Sequence, residues 1–331
     1  MTKPRSTQII LEATNYYHCY NRVVRSAWLI GDDPKTGDKF EHRREWIESR
    51  ILLLTQIFAI DVAAYAVMSN HYHIVLAIQK DEAMAWSTRE VIERWHRLYC
   101  GTHLTREYLA GKNLGVAELK AVGDKAEIWR ERLYETGWFM RNINEYVARK
   151  ANKEDDCKGR FWEGRYKCQA LLVEKAILSC MMYVDLNPIR AKMHNKIETS
   201  KYTSIKKRCE QAKKTKKPNA QNQQVNTLLN FAGKPRKTMP KGIPCELTTY
   251  LELIDWTGKQ IKSGKRGKID GMSASFLNQL NIEPDNWVTS VNHFSGKFSR
   301  LVGMVQSLEK NWENFEIKNS MRKLSCKSLF G

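Results

Sequence analysis

The chain has 331 residues, 42% of them hydrophobic, and 55 Lys+Arg against 36 Asp+Glu, a formal net charge of +19. That length accommodates a sizeable core and more than one domain, and no apolar run reaches the roughly 20 residues of a bilayer span. The charge excess suits a polyanionic partner bound through phosphate neutralisation, because acidic residues serve solubility at least as well.

The N-terminus, "MTKPRSTQIILEATNYYHCY", lacks the apolar core of a secretory signal. The eight cysteines are scattered with no CxxC pair, which argues against a zinc ribbon or a disulfide scaffold and for a reducing cytoplasm. "YYHCYNRVV" (16–24) reads as a first strand. After a loop at 31–38, Trp46, Ile47, Ile51, Leu54, Ile57 and Phe58 recur at helical spacing. "DVAAYAVMSN" and "HYHIVLAIQ" read as two strands around a turn at Ser69-Asn70. A helical region follows at 81–99, and 101–126 reads as an insertion. Residues 127–151 read as one helix despite Gly137, and "GRFWEGRYKCQALLV" as a turn and a strand. "EKAILSCMMYVDLNPIRAKM" is a helix that Pro188 ends near Asn187.

The order strand–helix–strand–strand–helix–strand predicts an α+β, ferredoxin-like (RRM-like) fold: an antiparallel sheet with helices on one face and the other face free. The composition shifts after residue 200. "KKRCEQAKKTKK" holds seven basic residues in twelve and precedes "PNAQNQQ", the pattern of a basic flexible linker over 201–243 that acts as a spacer or a phosphate tether. Residues 244–331 read as a small, mostly helical C-terminal domain following a core domain at 1–200.

His71 and His73 alternate with the oily Tyr72, Ile74, Leu76 and Ile78, so the two imidazoles share a strand face, expected to be the free one. Two neutral imidazoles there suit a divalent metal if a third ligand is supplied, although an HxH strand also fits a pair of exposed or hydrogen-bonded histidines. Tyr183 and Asn187 lie four apart on one helical face. The Asn187 amide oxygen would complete His-His-Asn and leave positions open for water and a phosphate oxygen. Tyr183 would attack that phosphate. A free phenol, with a pKa near ~10, needs such help, and the product would be a phosphotyrosine that conserves the bond energy for rejoining. Each residue alone also fits a structural role, Tyr183 as a core aromatic and Asn187 as a cap before proline.

"NHYHIVL" resembles the HUH signature of single-strand nucleases. With "YHCYNR", "GRFWEGRYK" and "YVDLNPIRA" in the same order, residues 10–195 resemble the REP-associated tyrosine transposases. The resemblance implies cleavage of single-stranded or hairpin DNA at palindromic elements, a Mg²⁺ or Mn²⁺ site held by His71, His73 and Asn187, and Tyr183 as nucleophile. The 101–126 insertion and the last 130 or so residues depart from that pattern. "GRFWEGRYK" interleaves cations with aromatics, which makes Arg160, Trp162, Arg165, Tyr166 and Lys167 candidate DNA contacts, with Trp162 in the core and Arg165 and Lys167 near phosphate. Arg22 and Arg190 are further candidates. Tyr166 is the rival nucleophile but has Ala170 four residues on, where a metal ligand would be needed. The expected function is a cytoplasmic, nucleoid-associated transposase or nuclease, monomer or homodimer. The alternatives are a non-cleaving hairpin-binding regulator and a water-using metal phosphodiesterase.

Overall fold

The structure is a computed structural model and describes residues 9–32, 37, 39–233, 241–263, 271–298, 300–311 and 326–327. In chain order it contains β1 (Tyr16–Arg22), α1 (Glu41–Thr55), β2 (Ile60–Val67) and β3 (His71–Ile78). Next come α2 (Lys80–Ala85), α3 (Thr88–His96), α4 (His103–Leu109), α5 (Val116–Tyr134), α6 (Thr136–Glu154) and β4 (Lys167–Leu171). Then follow α7 (Glu174–Asp185), α8 (Asn187–Arg190), α9 (Ser204–Lys213), α10 (Leu247–Ser263), α11 (Gly271–Gln279), α12 (Pro284–Asn292), α13 (Phe294–Lys297), β5 (Leu301–Val302) and α14 (Val305–Asn311).

The sheet order is β2-β3-β1-β4-β5. The first four strands pair antiparallel, with Tyr20 opposite both His73 and Lys167, and His18 opposite Val75 and Gln169. The expected purely antiparallel sheet is mixed, because β5 joins β4 in parallel, with Ala170 opposite Leu301.

Helices cover both faces, which corrects the expectation of a free face under the histidines. On the face of Tyr17, Cys19 and Tyr72 lie α1 and α6. Tyr65 there donates to Glu48 at 2.7 Å, and Asn144 of α6 accepts through Oδ1 from both Tyr72 (2.7 Å) and Asn21 (3.1 Å). On the face of His18, Tyr20 and His73 lies α7, whose Tyr183 ring meets His73 edge-on at 5.4 Å. Every α7 residue from Ala176 to Asp185 is buried. A helix apolar nearly all round seeks burial on every side, and a run such as "AILSCMMYV" therefore demands a sheet below it and further helices above.

The insertion is helical. α3, α4 and α5 pack together, and Trp95 stacks on Trp129 at 5.2 Å. The single helix expected over 127–151 is two helices. Glu135 is extended (φ −87°, ψ 121°), so Gly137 falls in the first turn of α6, where it breaks nothing.

Residues 201–243 were expected to be a flexible linker, but α9 lies against the sheet. Ile205, Arg208 and Cys209 form its buried face. The Arg208 guanidinium donates to the carbonyls of Ala63 (2.8 Å) and Leu229 (3.0 Å). Composition misled because one of the seven basic residues is a core residue, while Lys213, Lys214, Lys216 and Lys217 are exposed as anticipated. Residues 234–240 of that expected linker lie outside the described residues. The C-terminal helices are not detached either. Tyr250 of α10 donates to Asp185 of α7 at 2.7 Å, and α12 packs on α7.

Asp185 thus joins three segments, since Ser204 at the start of α9 also donates to it at 2.5 Å. Burial raises its carboxyl from 3.8 to about 6, against the lowering pull of Ser204, Tyr250 and Arg208. The folded state therefore holds this proton more tightly than the unfolded chain does. The contribution of Asp185 to stability is fully present below the unfolded pKa and is lost as pH rises through the folded one. Relative to Asp185→Asn, which does not titrate, the wild-type protein should lose roughly 1–3 kcal/mol between about pH 4 and pH 7. Urea unfolding of both proteins across that range reads the difference, and a pH-independent gap would contradict the assignment.

Candidate active site

The alternation of β1 and β3 puts Tyr20, Arg22, His71 and His73 on one sheet face, near the end of β1 against which the "GRFWEGRYK" turn pairs. Glu163 N–H donates to the Arg22 carbonyl at 2.9 Å, so that turn folds back beside β1. The outcome is a cleft of about 470 Å³ lined by Arg22, His71, His73, Arg165, Lys167 and Tyr183, together with Tyr20, Asn21, Glu163, Gly164 and Ser295. Six of the residues singled out in the sequence meet there.

Both imidazoles are held through Nδ1. His71 Nδ1 lies 2.6 Å from Asn70 Oδ1. His73 Nδ1 lies 2.9 Å from Nε2 of the fully buried His18. Burial, with Arg22 and Arg190 adding to it, pushes His71 down to about 4. Burial and the neighbouring rings and guanidiniums push His73 well below its ordinary value. Both rings are therefore neutral at pH 7, and their Nε2 atoms make no hydrogen bond among the described residues. Neutral imidazole nitrogens fixed from behind by hydrogen bonds are the form in which histidine binds a divalent metal.

The donor set fits such an ion at two positions. Asn187, expected as the third ligand, does not line the cleft. α7 ends at Asp185, and Leu186 (φ −87°, ψ 1°) leads into the single turn of α8, so Asn187 is not on a continuous helical face with Tyr183. The side chain of Asn187 is buried, and its Nδ2 has no hydrogen-bond partner among the described residues. No group of three or more His, Cys, Asp or Glu side chains suited to a metal occurs among the described residues.

Tyr183 is only 4% exposed. Its ring packs between His73 and Phe294, 5.5 Å from the latter. The Arg190 guanidinium lies 4.2 Å over its face and donates to the Tyr183 carbonyl at 3.4 Å. Arg190, expected at DNA, is thus committed first to Tyr183. Arg165 and Lys167 are exposed at the rim, and Lys167 lies 5.7 Å above the Tyr20 ring. Arg160 is exposed but lies off the cleft lining.

Two of the candidate DNA contacts, Trp162 and Tyr166, are buried, Trp162 in the core as expected. The Trp162 indole N–H donates to the Asn144 carbonyl at 2.8 Å, and the ring is edge-on to Tyr72. It cannot stack on a base. Tyr166 is buried and off the lining, so the rival nucleophile has no access to the cleft. The sequence reading missed His18 and Tyr20, although the period-2 pattern of "YYHCYNR" aligns them with Arg22. It also missed Phe294 and Ser295, for which no local signal exists.

No family model and no curated protein matches this sequence. Among solved structures the chain is similar to one described as the structure of a REP-associated tyrosine transposase bound to a REP hairpin. The identity is 9%, the match covers 69% of this chain and 90% of that chain, and the TM-score is 0.35. A likeness of that degree assigns neither activity nor partner. No helix among the described residues is long and apolar enough to cross a membrane.

The burial pattern separates two kinds of variant. Trp162→Ala should cost about 3–5 kcal/mol of stability, the usual range for a large core aromatic. Arg165→Ala and Lys167→Ala should leave the unfolding midpoint unchanged. If these cations neutralise phosphates, each substitution should lower the slope of log affinity against log salt for single-stranded DNA by about 1. Anisotropy titrations over a salt series test this, and unchanged slopes would remove both residues from the phosphate path.

Proposed function

We propose that this protein is a metal-dependent endonuclease and strand transferase of single-stranded DNA, of the HUH single-tyrosine type on a ferredoxin-like core, acting at hairpin-forming elements. One observation carries the reading: four separate stretches of chain bring His71, His73 and Tyr183 into one cleft whose rim carries Arg22, Arg165 and Lys167. The four motifs in the sequence point the same way.

In this reading the cations hold the backbone of an unpaired strand and place one phosphate beside the two imidazoles. Mg²⁺ or Mn²⁺, held by His71 and His73, would polarise a phosphoryl oxygen and stabilise charge in the in-line displacement. Two nitrogen ligands favour Mn²⁺ over Mg²⁺ in such a site. The Tyr183 oxygen bonds to phosphorus as the P–O3′ bond breaks. Its phenolic proton leaves to water, and the departing O3′ takes a proton from water. The products are a 5′-phosphotyrosine and a free 3′-hydroxyl, and attack by another 3′-hydroxyl reverses the step and rejoins the strand. Arg190, over the Tyr183 ring, orients the nucleophile and adds positive charge beside it.

A second reading, a hairpin-binding regulator that does not cut, is favoured by two features. Tyr183 is tightly packed, and Asn187 lies away from the cleft.

One assay separates them. Protein, Mn²⁺ and end-labelled hairpin DNA are incubated, and the products are run on a denaturing gel. Label that migrates with the protein, lost with chelator and in Tyr183→Phe, supports cleavage. Binding without adduct under every metal condition supports the regulator. His71→Ala and His73→Ala should abolish the adduct while hairpin affinity stays within about threefold, since phosphate contacts dominate affinity. Adduct at wild-type level in Tyr183→Phe, or on another residue by peptide mapping, sinks the assignment.

A further inference from the structure

Behind His73 runs a buried row of polar groups that the proposed chemistry does not use. His18 Nε2 lies 2.9 Å from His73 Nδ1, and His18 Nδ1 lies 2.8 Å from Gln169 Oε1. Gln169 Nε2 in turn donates to the backbone carbonyl of Phe298 at 3.4 Å. His18 is fully buried, His73 is 4% exposed and Gln169 is 8% exposed. A buried row of this kind has a direction, because each contact needs one donor and one acceptor.

The direction can be deduced from the far end. A backbone carbonyl only accepts, so the Gln169 amide must present its NH₂ to Phe298 and its oxygen to His18. An amide oxygen also only accepts, so His18 carries its proton on Nδ1. The neutral ring then has a lone pair on Nε2 and accepts from His73 Nδ1–H. The remaining lone pair of His73 is on Nε2. Reversing the row would set the Gln169 oxygen against the Phe298 oxygen and put the His73 proton on Nε2, where it would block a ligand.

We propose that His18 is a positioning residue, which with Gln169 holds His73 in the Nδ1–H tautomer, and that the C-terminal segment sets the direction of the row through the Phe298 carbonyl. This rests on the reading of His73 as a metal ligand. Further contacts bring the same segment to the site. Phe294 lies edge-on to His18 at 6.1 Å and tilted against Tyr183, and Ser295 lines the cleft. The pairing of β5 with β4 anchors the segment, with Ala170 N–H donating to Arg300 and Leu172 N–H to Val302. The C-terminal segment is therefore part of the site's construction.

The test uses full-length, metal-free protein labelled with ¹⁵N-histidine. Long-range proton–nitrogen correlation reads the His73 tautomer, with the signal assigned by its loss in His73→Gln. The wild-type ring should be Nδ1–H. In His18→Leu, which keeps bulk but offers no acceptor, and in Gln169→Leu, the Nε2–H form should appear. Mn²⁺ affinity should fall roughly 10- to 100-fold, the range for loss of a hydrogen bond behind a metal-bound histidine. His18→Gln, whose amide oxygen can accept the same proton, should stay within a few-fold of wild type. A merely structural His18 would not show that rescue together with a tautomer change. If His18→Leu does not fold, the wild-type spectrum and Gln169→Leu still decide the matter. An Nε2–H ring in the wild type, or an unchanged His73 tautomer in the leucine variants, overturns the proposal. A wild-type protein that binds no Mn²⁺ but shows Nδ1–H supports the row and overturns the proposed metal chemistry.

Discussion

The pairing of β1 between β3 and β4 is the constraint from which the site follows. Its register sets Tyr20 beside His73 and Lys167, Arg22 beside His71, and His18 beside Gln169. Side chains alternate with a period of two, so a slip of β1 by one residue would send its His18, Tyr20 and Arg22 to the opposite face, that of Tyr72, and away from His71 and His73. The register is held from that opposite face. Asn144 accepts from Asn21 and Tyr72 at once, and Trp162 fastens the incoming turn to the Asn144 carbonyl. Three hydrogen bonds around one α6 residue thus fix which residues appear on the far side of the sheet.

Burial on the histidine side has an electrostatic consequence. Three imidazoles lie in a row beneath α7, with two guanidiniums close enough to disfavour protonation of His71 and His73. Water is largely excluded, so the rings stay neutral and their protons are apportioned by hydrogen bonds. The positive charge of the cleft then comes from arginine and lysine, which do not compete with the imidazole lone pairs for a metal. Such a site attracts an anion while leaving nitrogen ligands open, a division of labour that a charged histidine pair could not provide.

The same helix ties the later chain to the sheet. Asp185 lies one turn or less from Tyr183 and receives hydrogen bonds from α9 and α10. A buried carboxylate is costly unless its lone pairs are filled, so these segments are required partners once Asp185 is in the core. The position of Tyr183 therefore depends on Ser204 and Tyr250, further along the chain. Phe294, Phe298 and β5 extend that dependence to residue 302.

Much of the fold was legible from local pattern. The strands at 16–22, 60–67 and 71–78, the helix at 41–55 and the helix carrying Tyr183 follow from periodicity, and the HxH spacing put both imidazoles on one side of β3. Arg165 and Lys167 were singled out by the alternation of cations and aromatics in their turn, and Arg22 and Tyr183 were candidates as well, but that all four line one cleft with the histidines is seen only in the structure. Three features could not be read in this way. The covered histidine face depends on α7 being sandwiched between the sheet and α12, a packing outcome with no local period. The burial of Arg208 runs against the charge pattern around it and is set by carbonyls at Ala63 and Leu229. The histidine row ends on Phe298, 129 residues from Gln169. The sequence by itself determined which side chains share a strand face, because alternation is a property of the extended backbone. Only the tertiary structure decided which face would be dry and which nitrogen of His73 faces the cleft, because dryness and proton placement depend on what other parts of the chain are packed against them.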